Sequence, residues 1–125
     1  MGYESRIYVV EKSNLKWDDD NGKRYASEKA RIDMSKCYEL SGILRNKPAT
    51  ECYIYADDRN THIEKDCYGM PLTETPLGEA LEIVEDVIAR TPYDYWMYDV
   101  LRATLQAIYD FVGDDERFVV LHYGY

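Results

Sequence analysis

The chain reads as an α+β fold, an antiparallel sheet of about five strands with two antiparallel helices packed on one face. Three observations predict it. Two strand-like stretches near the start flank Asn21-Gly22, a strong short hairpin signal. A second hairpin pattern runs between Cys52 and Cys67 around the turn-forming Asp57-Asp58-Arg59-Asn60. Two stretches of helical periodicity then precede a final β-branched run.

Residues 6–11, β-branched and aromatic, supply the first strand. Residues 24–34 supply the second, with Ala26, Glu28, Ala30, Ile32 and Met34 expected on one side. Within residues 35–47, Leu40, Ile43 and Leu44 suit one short helical turn, weakened by Gly42 and stopped by Pro48. The central hairpin provides strands three and four. Its turn sets a register with Ala56 opposite Thr61, Ile54 opposite Ile63 and Cys52 opposite Lys65. Cys52, Ile54, Ile63 and Cys67 then share one face, and Tyr53, Tyr55, His62 and Glu64 share the other.

Thr75 followed by Pro76 predicts a capped helix start. Leu77, Leu81, Val84 and Ile88 fall at helical spacing, with Glu79, Glu82, Glu85 and Asp86 outside, and Thr91-Pro92 ends the helix. Asp94 is expected to cap a second helix running to Val112. Its apolar stripe is Met97, Leu101, Leu105, Ile108 and either Phe111 or Val112, with Gly113 as its stop. Residues 118–123 form the last strand.

At 125 residues, 46% hydrophobic and without a visible linker or repeat, the chain is expected to be a single domain (1–125) whose core needs no disulfide. No apolar run approaches the ~18 residues of a membrane span. The start of the chain lacks a signal-peptide apolar region and matches a myristoylation motif poorly, so a cytoplasmic location is expected. Three cysteines, an odd number, then read as free thiols or metal ligands.

A formal net charge of −9 opposes direct nucleic-acid binding, which depends on Lys and Arg neutralising phosphates. It suits solubility and a basic protein partner, which such a charge steers toward the chain. Thirteen tyrosines beside two Phe and two Trp fit an interface or a half-buried strand face equally well.

Zinc takes about four thiolate or imidazole ligands in a tetrahedron. Cys37, Cys52, Cys67 and His122 form the candidate set for a structural zinc, His62 being on the wrong hairpin face. The competing reading is three small thiols and one hydrogen-bonded histidine. Asp18-Asp19-Asp20-Asn21-Gly22 fails as a calcium loop, because placing Gly22 at the sixth position makes Trp17 the first ligand. Tyr55-Ala56-Asp57-Asp58 resembles the Tyr-x-Asp-Asp motif of reverse transcriptases over four residues only, and two acids opening a turn explain it. No glycine-rich phosphate loop and no local signature of a nucleophile beside a histidine occurs, so an enzyme is not expected. The partner-binding candidates are Asp57, Asp58, Glu64 and Asp66 with Tyr53 and Tyr55, and the helix acids Glu79, Glu82, Glu85 and Asp86 are the rival surface.

The opening residues 1–10, the centre Cys52-Tyr53-Ile54-Tyr55-Ala56-Asp57-Asp58 and the ending residues 119–125 together resemble a group of small acidic phage and prophage proteins of Gram-positive bacteria. The resemblance implies a context. Such proteins include anti-CRISPR proteins of the Cas9-inhibitor type, which occupy basic surfaces that otherwise take DNA or guide RNA, and a few carry a structural metal. The expectation is therefore a non-enzymatic inhibitor of a basic host defence protein, a Cas9-type effector, in the bacterial cytoplasm. The alternatives are a small metal-dependent enzyme or nuclease accessory, and a structural phage protein that self-associates through its tyrosines.

Overall fold

The computed structural model describes residues 4–16 and 23–125. Strands β1 (Ser5–Lys16) and β2 (Arg24–Met34) pair antiparallel as the opening hairpin. The Asn21-Gly22 turn expected between them, and Asp18 to Asp20 before it, lie outside the described residues. Helix α1 (Tyr38–Leu44) leads to β3 (Cys52–Tyr55) and β4 (His62–Ile63). A short β5 (Thr73–Pro76) runs directly into α2 (Leu77–Arg90), followed by α3 (Trp96–Val112) and β6 (Phe118–Gly124).

The α+β class is as expected, but the sheet is larger and mixed. Among the described residues its order is β4-β3-β2-β1-β6-β5. β2 and β3 are parallel, at Arg24↔Cys52 and Tyr25↔Tyr53, and every other neighbouring pair is antiparallel. The reason is α1: as a crossover, it returns the chain so that β3 runs in the same direction as β2. β5 escaped the sequence reading because Thr75-Pro76 imitates a helix start. Thr75 is instead a buried strand residue paired with Val120, and Pro76 ends an edge strand, where its missing N–H costs no ladder bond. The helix begins one residue later, without a side-chain cap. Asp94 likewise does not cap α3, whose N-terminal residue is flanked by Tyr95.

The sheet carries a hydrophobic cluster on each face. The helix-covered face packs Ile7, Val9, Met34 and Val120 against Leu40 and Leu44 of α1, Leu81, Val84 and Val87 of α2, and Leu101 and Leu105 of α3. The opposite face packs Tyr8, Val10, Ala26, Cys52, Ile54, Leu72, Val119 and Leu121. Alternation along each strand produces this division. A bulge in β2 modifies it: Val9 pairs with Ala30 but Val10 pairs with Glu28, leaving Lys29 as the extra residue. The single expected face of β2 is therefore split. Ala30, Ile32 and Met34 contact the helix side, while Ala26 contributes to the other cluster.

Among the described residues no helix covers the second cluster; the sheet curls over it instead. Lys65, just past β4, bridges to Pro71, and Ala49, just before β3, bridges to Thr73. Leu72 N–H donates to the Glu64 carbonyl at 3.2 Å, and Thr50 N–H donates to the Leu72 carbonyl at 2.9 Å. The two ends of the sheet thus approach each other around buried Leu72. No helix among the described residues is long and apolar enough to cross a membrane.

Candidate protein-binding groove

The central hairpin forms at the expected register over its inner part, with Ile54↔Ile63 and Tyr55↔His62 paired and Ala56 N–H donating to the Thr61 carbonyl at 2.8 Å. Its outer part does not. β4 stops at Ile63, so Cys52 pairs with Arg24 rather than Lys65. Tyr53, Tyr55 and His62 do share one face and stack together, with ring centroids of Tyr53 and His62 at 4.5 Å and Tyr25 joining from β2.

The acids of this hairpin have partners within the fold. Asp57 pairs with Arg31 at 2.9 Å. Asp58 accepts from the Asn60 and Thr61 backbone N–H groups and the Thr61 hydroxyl, which holds its carboxyl below the usual range. Glu64 pairs with Lys23 at 3.2 Å, and Asp66 accepts from the Tyr68 and Met70 backbone. These carboxylates organise turns and strand edges.

The candidate zinc set is not assembled. Cys37 is buried on the helix side of the sheet, Cys52 is buried on the opposite side, and Cys67 is exposed. Among the described residues no three His, Cys, Asp or Glu side chains are grouped to hold a metal ion. The expectation needed β4 to extend to Cys67 and Cys37 to reach the face of Cys52, whereas β4 ends at Ile63 and the sheet lies between Cys37 and Cys52. His122 and Cys37 are linked through hydroxyls instead: Cys37 Sγ lies 3.2 Å from Ser41 Oγ, Ser41 Oγ 2.5 Å from Ser5 Oγ, and Ser5 Oγ 2.8 Å from His122 Nε2. Burial pushes His122 down to about 4, so its ring is neutral at physiological pH; Asp66 opposes the shift and Arg45 adds to it. Ser5 is 1% exposed, while His122 reaches a concavity also lined by Arg45, Asp66 and Tyr68.

A different concave surface gathers charge. Where β5 enters α2, beside the end of α3 and the turn into β6, lies a groove of about 880 Å³. Seven carboxylates line it, those of Glu74, Glu79, Glu82, Glu85, Asp114, Asp115 and Glu116, against the single cation of Lys12. Some are neutralised: Glu74 binds Lys12 at 3.1 Å and the Thr50 hydroxyl at 2.8 Å, Asp115 binds Arg117 at 2.8 Å, and Glu79 lies 3.6 Å from Lys47. Glu82, Glu85 and Glu116 form no ion pair among the described residues.

The groove's shape depends on Gly78. A Cβ there would lie 3.1 Å from Asp114 Oδ1 and 3.2 Å from the Tyr109 ring, so glycine lets the first turn of α2 close against the end of α3. The Tyr109 hydroxyl donates to Asp114 Oδ1 at 2.9 Å, and that hydrogen bond to the carboxylate raises the tyrosine's pKa. Of the rival acids named from the sequence, Glu79, Glu82 and Glu85 line the groove and Asp86 does not. The contribution of Asp114-Asp115-Glu116 was missed. The acidic run is visible beside Gly113, but only the packing of α3 against α2 places it opposite Glu82. In comparisons with family models, curated proteins and solved structures, the chain matches none.

Proposed function

We propose that this protein is a non-enzymatic binding protein that occupies a basic surface of its partner with the acidic groove between α2, α3 and β6. The observation that supports this most is the gathering of seven carboxylates in one concavity, four of them (Glu82, Glu85, Asp114 and Glu116) without an ion pair among the described residues. Like charges lining a concave, low-dielectric wall focus a negative potential, which attracts a basic protein and raises its association rate. The hairpin residues Tyr53, Tyr55, Asp57, Asp58, Glu64 and Asp66 form a less favoured second surface, because their carboxylates are already engaged within the fold.

The resemblance to acidic phage proteins supplies the class of partner: a host defence protein of the Cas9 type, whose basic channel otherwise takes nucleic acid, met in the bacterial cytoplasm. The protein then acts by stoichiometric occlusion, without turnover. The test is target-DNA cleavage by a guide-loaded Cas9-type effector titrated with the purified protein, alongside the variant Glu82→Lys/Glu85→Lys/Glu116→Lys. Inhibition complete near equimolar protein and lost in the variant is expected. Full cleavage in molar excess of wild-type protein overturns the partner class, and inhibition retained by the variant overturns the groove.

A further inference from the structure

Helix α3 buries one face, through Tyr98, Leu101 and Leu105, and exposes a second apolar face on its far side. Trp96, Val100, Ala103, Ala107 and Phe111 are all exposed, with Trp96 at 68% and Phe111 at 92%. At about 100° per residue these five fall within an arc of about 80°, roughly opposite the buried stripe. Phe111 was one of two alternatives for the core position at the end of this helix; Val112 occupies that position and leaves the phenyl ring outside. The polar residues Asp99, Arg102, Gln106 and Asp110 keep to one flank of the stripe. A continuous apolar stripe bounded by polar residues is uncommon on a surface that meets only water.

We infer that this stripe is the interface of a two-fold homodimer in which α3 of one copy packs antiparallel against α3 of the other. The order of side chains supports a second copy as the occupant. About a point between Ala103 and Thr104 the stripe is symmetric in position, so an antiparallel partner sets Trp96 opposite Phe111 and Val100 opposite Ala107, with Ala103 opposite Thr104. Small side chains at the centre let the two helices approach closely, and the aromatic rings at either end fold over the partner helix.

The size and charge of the stripe agree. At these exposures the four Trp and Phe rings of a dimer contribute roughly 600–700 Å² of buried surface. Val100, Ala103 and Ala107 bring the total toward the ~1,000 Å² that a specific interface needs. The stripe carries no carboxylate, so it does not suit the basic partner proposed for the groove. A membrane surface is disfavoured because interfacial helices carry Lys and Arg on their polar face, whereas α3 has Arg102 as its one basic residue beside Asp99 and Asp110. Gln106 and Tyr109, which line the groove, lie on the flank of α3, so pairing through the stripe leaves two acidic grooves open on one dimer.

Sedimentation velocity over a range of concentrations tests this directly, with Ala103→Glu/Phe111→Glu as the disrupting variant. Both residues are exposed, so the variant retains its fold, and circular dichroism and thermal melting verify it. The wild-type chain is expected to approach twice the 14.7 kDa of one copy and the variant to remain at one. A second variant, Ala103→Cys with Cys67→Ser to remove the exposed native thiol, is expected to form an intermolecular disulfide under mild oxidation. A monomeric wild type at every concentration overturns the inference, as does a dimer that survives in the charged variant. Association of the monomer with lipid vesicles through Trp96 also overturns it.

Discussion

Ser5 Oγ lies 2.8 Å from His122 Nε2, joining the first residue of β1 to the end of β6 inside the helix-covered face. The imidazole is 4% exposed and neutral, held down to about 4 by burial, against 6.5 when solvated. Below pH 6.5 the unfolded chain takes up a proton at His122 that the folded chain refuses until about pH 4. Stability therefore falls as the pH drops through that window and is unaffected by this group above it. Between pH 7 and 5, denaturant melts should show His122 alone contributing a loss on the order of 2 kcal/mol, absent in His122→Asn. An equal pH slope in both proteins sinks the assignment. Ser5→Ala removes a partner from both Ser41 and His122 and should cost about 1–3 kcal/mol.

The bulge at Lys29 decides which face the two halves of β2 present. Deleting Lys29 removes the extra residue and makes Glu28 and Ala30 neighbours, so plain alternation keeps Ala26 on its present face and Ala30, Ile32 and Met34 on theirs. The deletion should therefore retain a cooperative thermal transition, and Lys29→Ala, which keeps the residue count, should melt close to wild type. A deletion variant without native amide dispersion by NMR contradicts this account.

The three cysteines should divide by location. Cys67 is exposed, while Cys37 and Cys52 are buried and burial also pushes the Cys52 thiol up in pKa. A thiol reagent should label Cys67 rapidly in the native protein and the other two only on unfolding. Zinc added to the folded protein should leave that rate unchanged; protection of Cys67 by zinc means that a metal site forms in a state other than this one.

Asp58 and the groove acids should separate stability from binding. Asp58→Ala removes three hydrogen bonds from the hairpin turn, so it should lower the melting temperature and leave partner affinity intact. Glu82→Lys/Glu85→Lys should leave melting nearly unchanged while weakening the partner. Wild-type affinity should also decline as salt rises, since exposed charges are screened beyond about 8 Å at physiological ionic strength. Affinity lost in Asp58→Ala but kept in the groove variant moves the site to the hairpin.

What could be read from the sequence was what local physics specifies. Residues 24–34 form a strand, although the bulge splits its expected single face, Asp58 and Asn60 make a turn, and Leu77, Leu81, Val84 and Leu101, Leu105 recur at helical spacing as expected. The α+β class follows from their order. Tertiary structure alone decided the rest, because each remaining feature depends on residues distant in sequence. β5 exists because β6 offers it an edge, overriding the capping signal of Thr75-Pro76. β4 ends at Ile63 and Lys65 bridges to Pro71 instead, while the sheet divides Cys37 from Cys52 and Cys67 is left exposed, so the expected zinc set is not assembled. The groove arises where α3 brings Asp114, Asp115 and Glu116 across from Glu82 and Glu85. Periodicity reports which side of an element is apolar, but only packing determines which apolar side is buried, and that is why Phe111 faces solvent while Val112 faces the core.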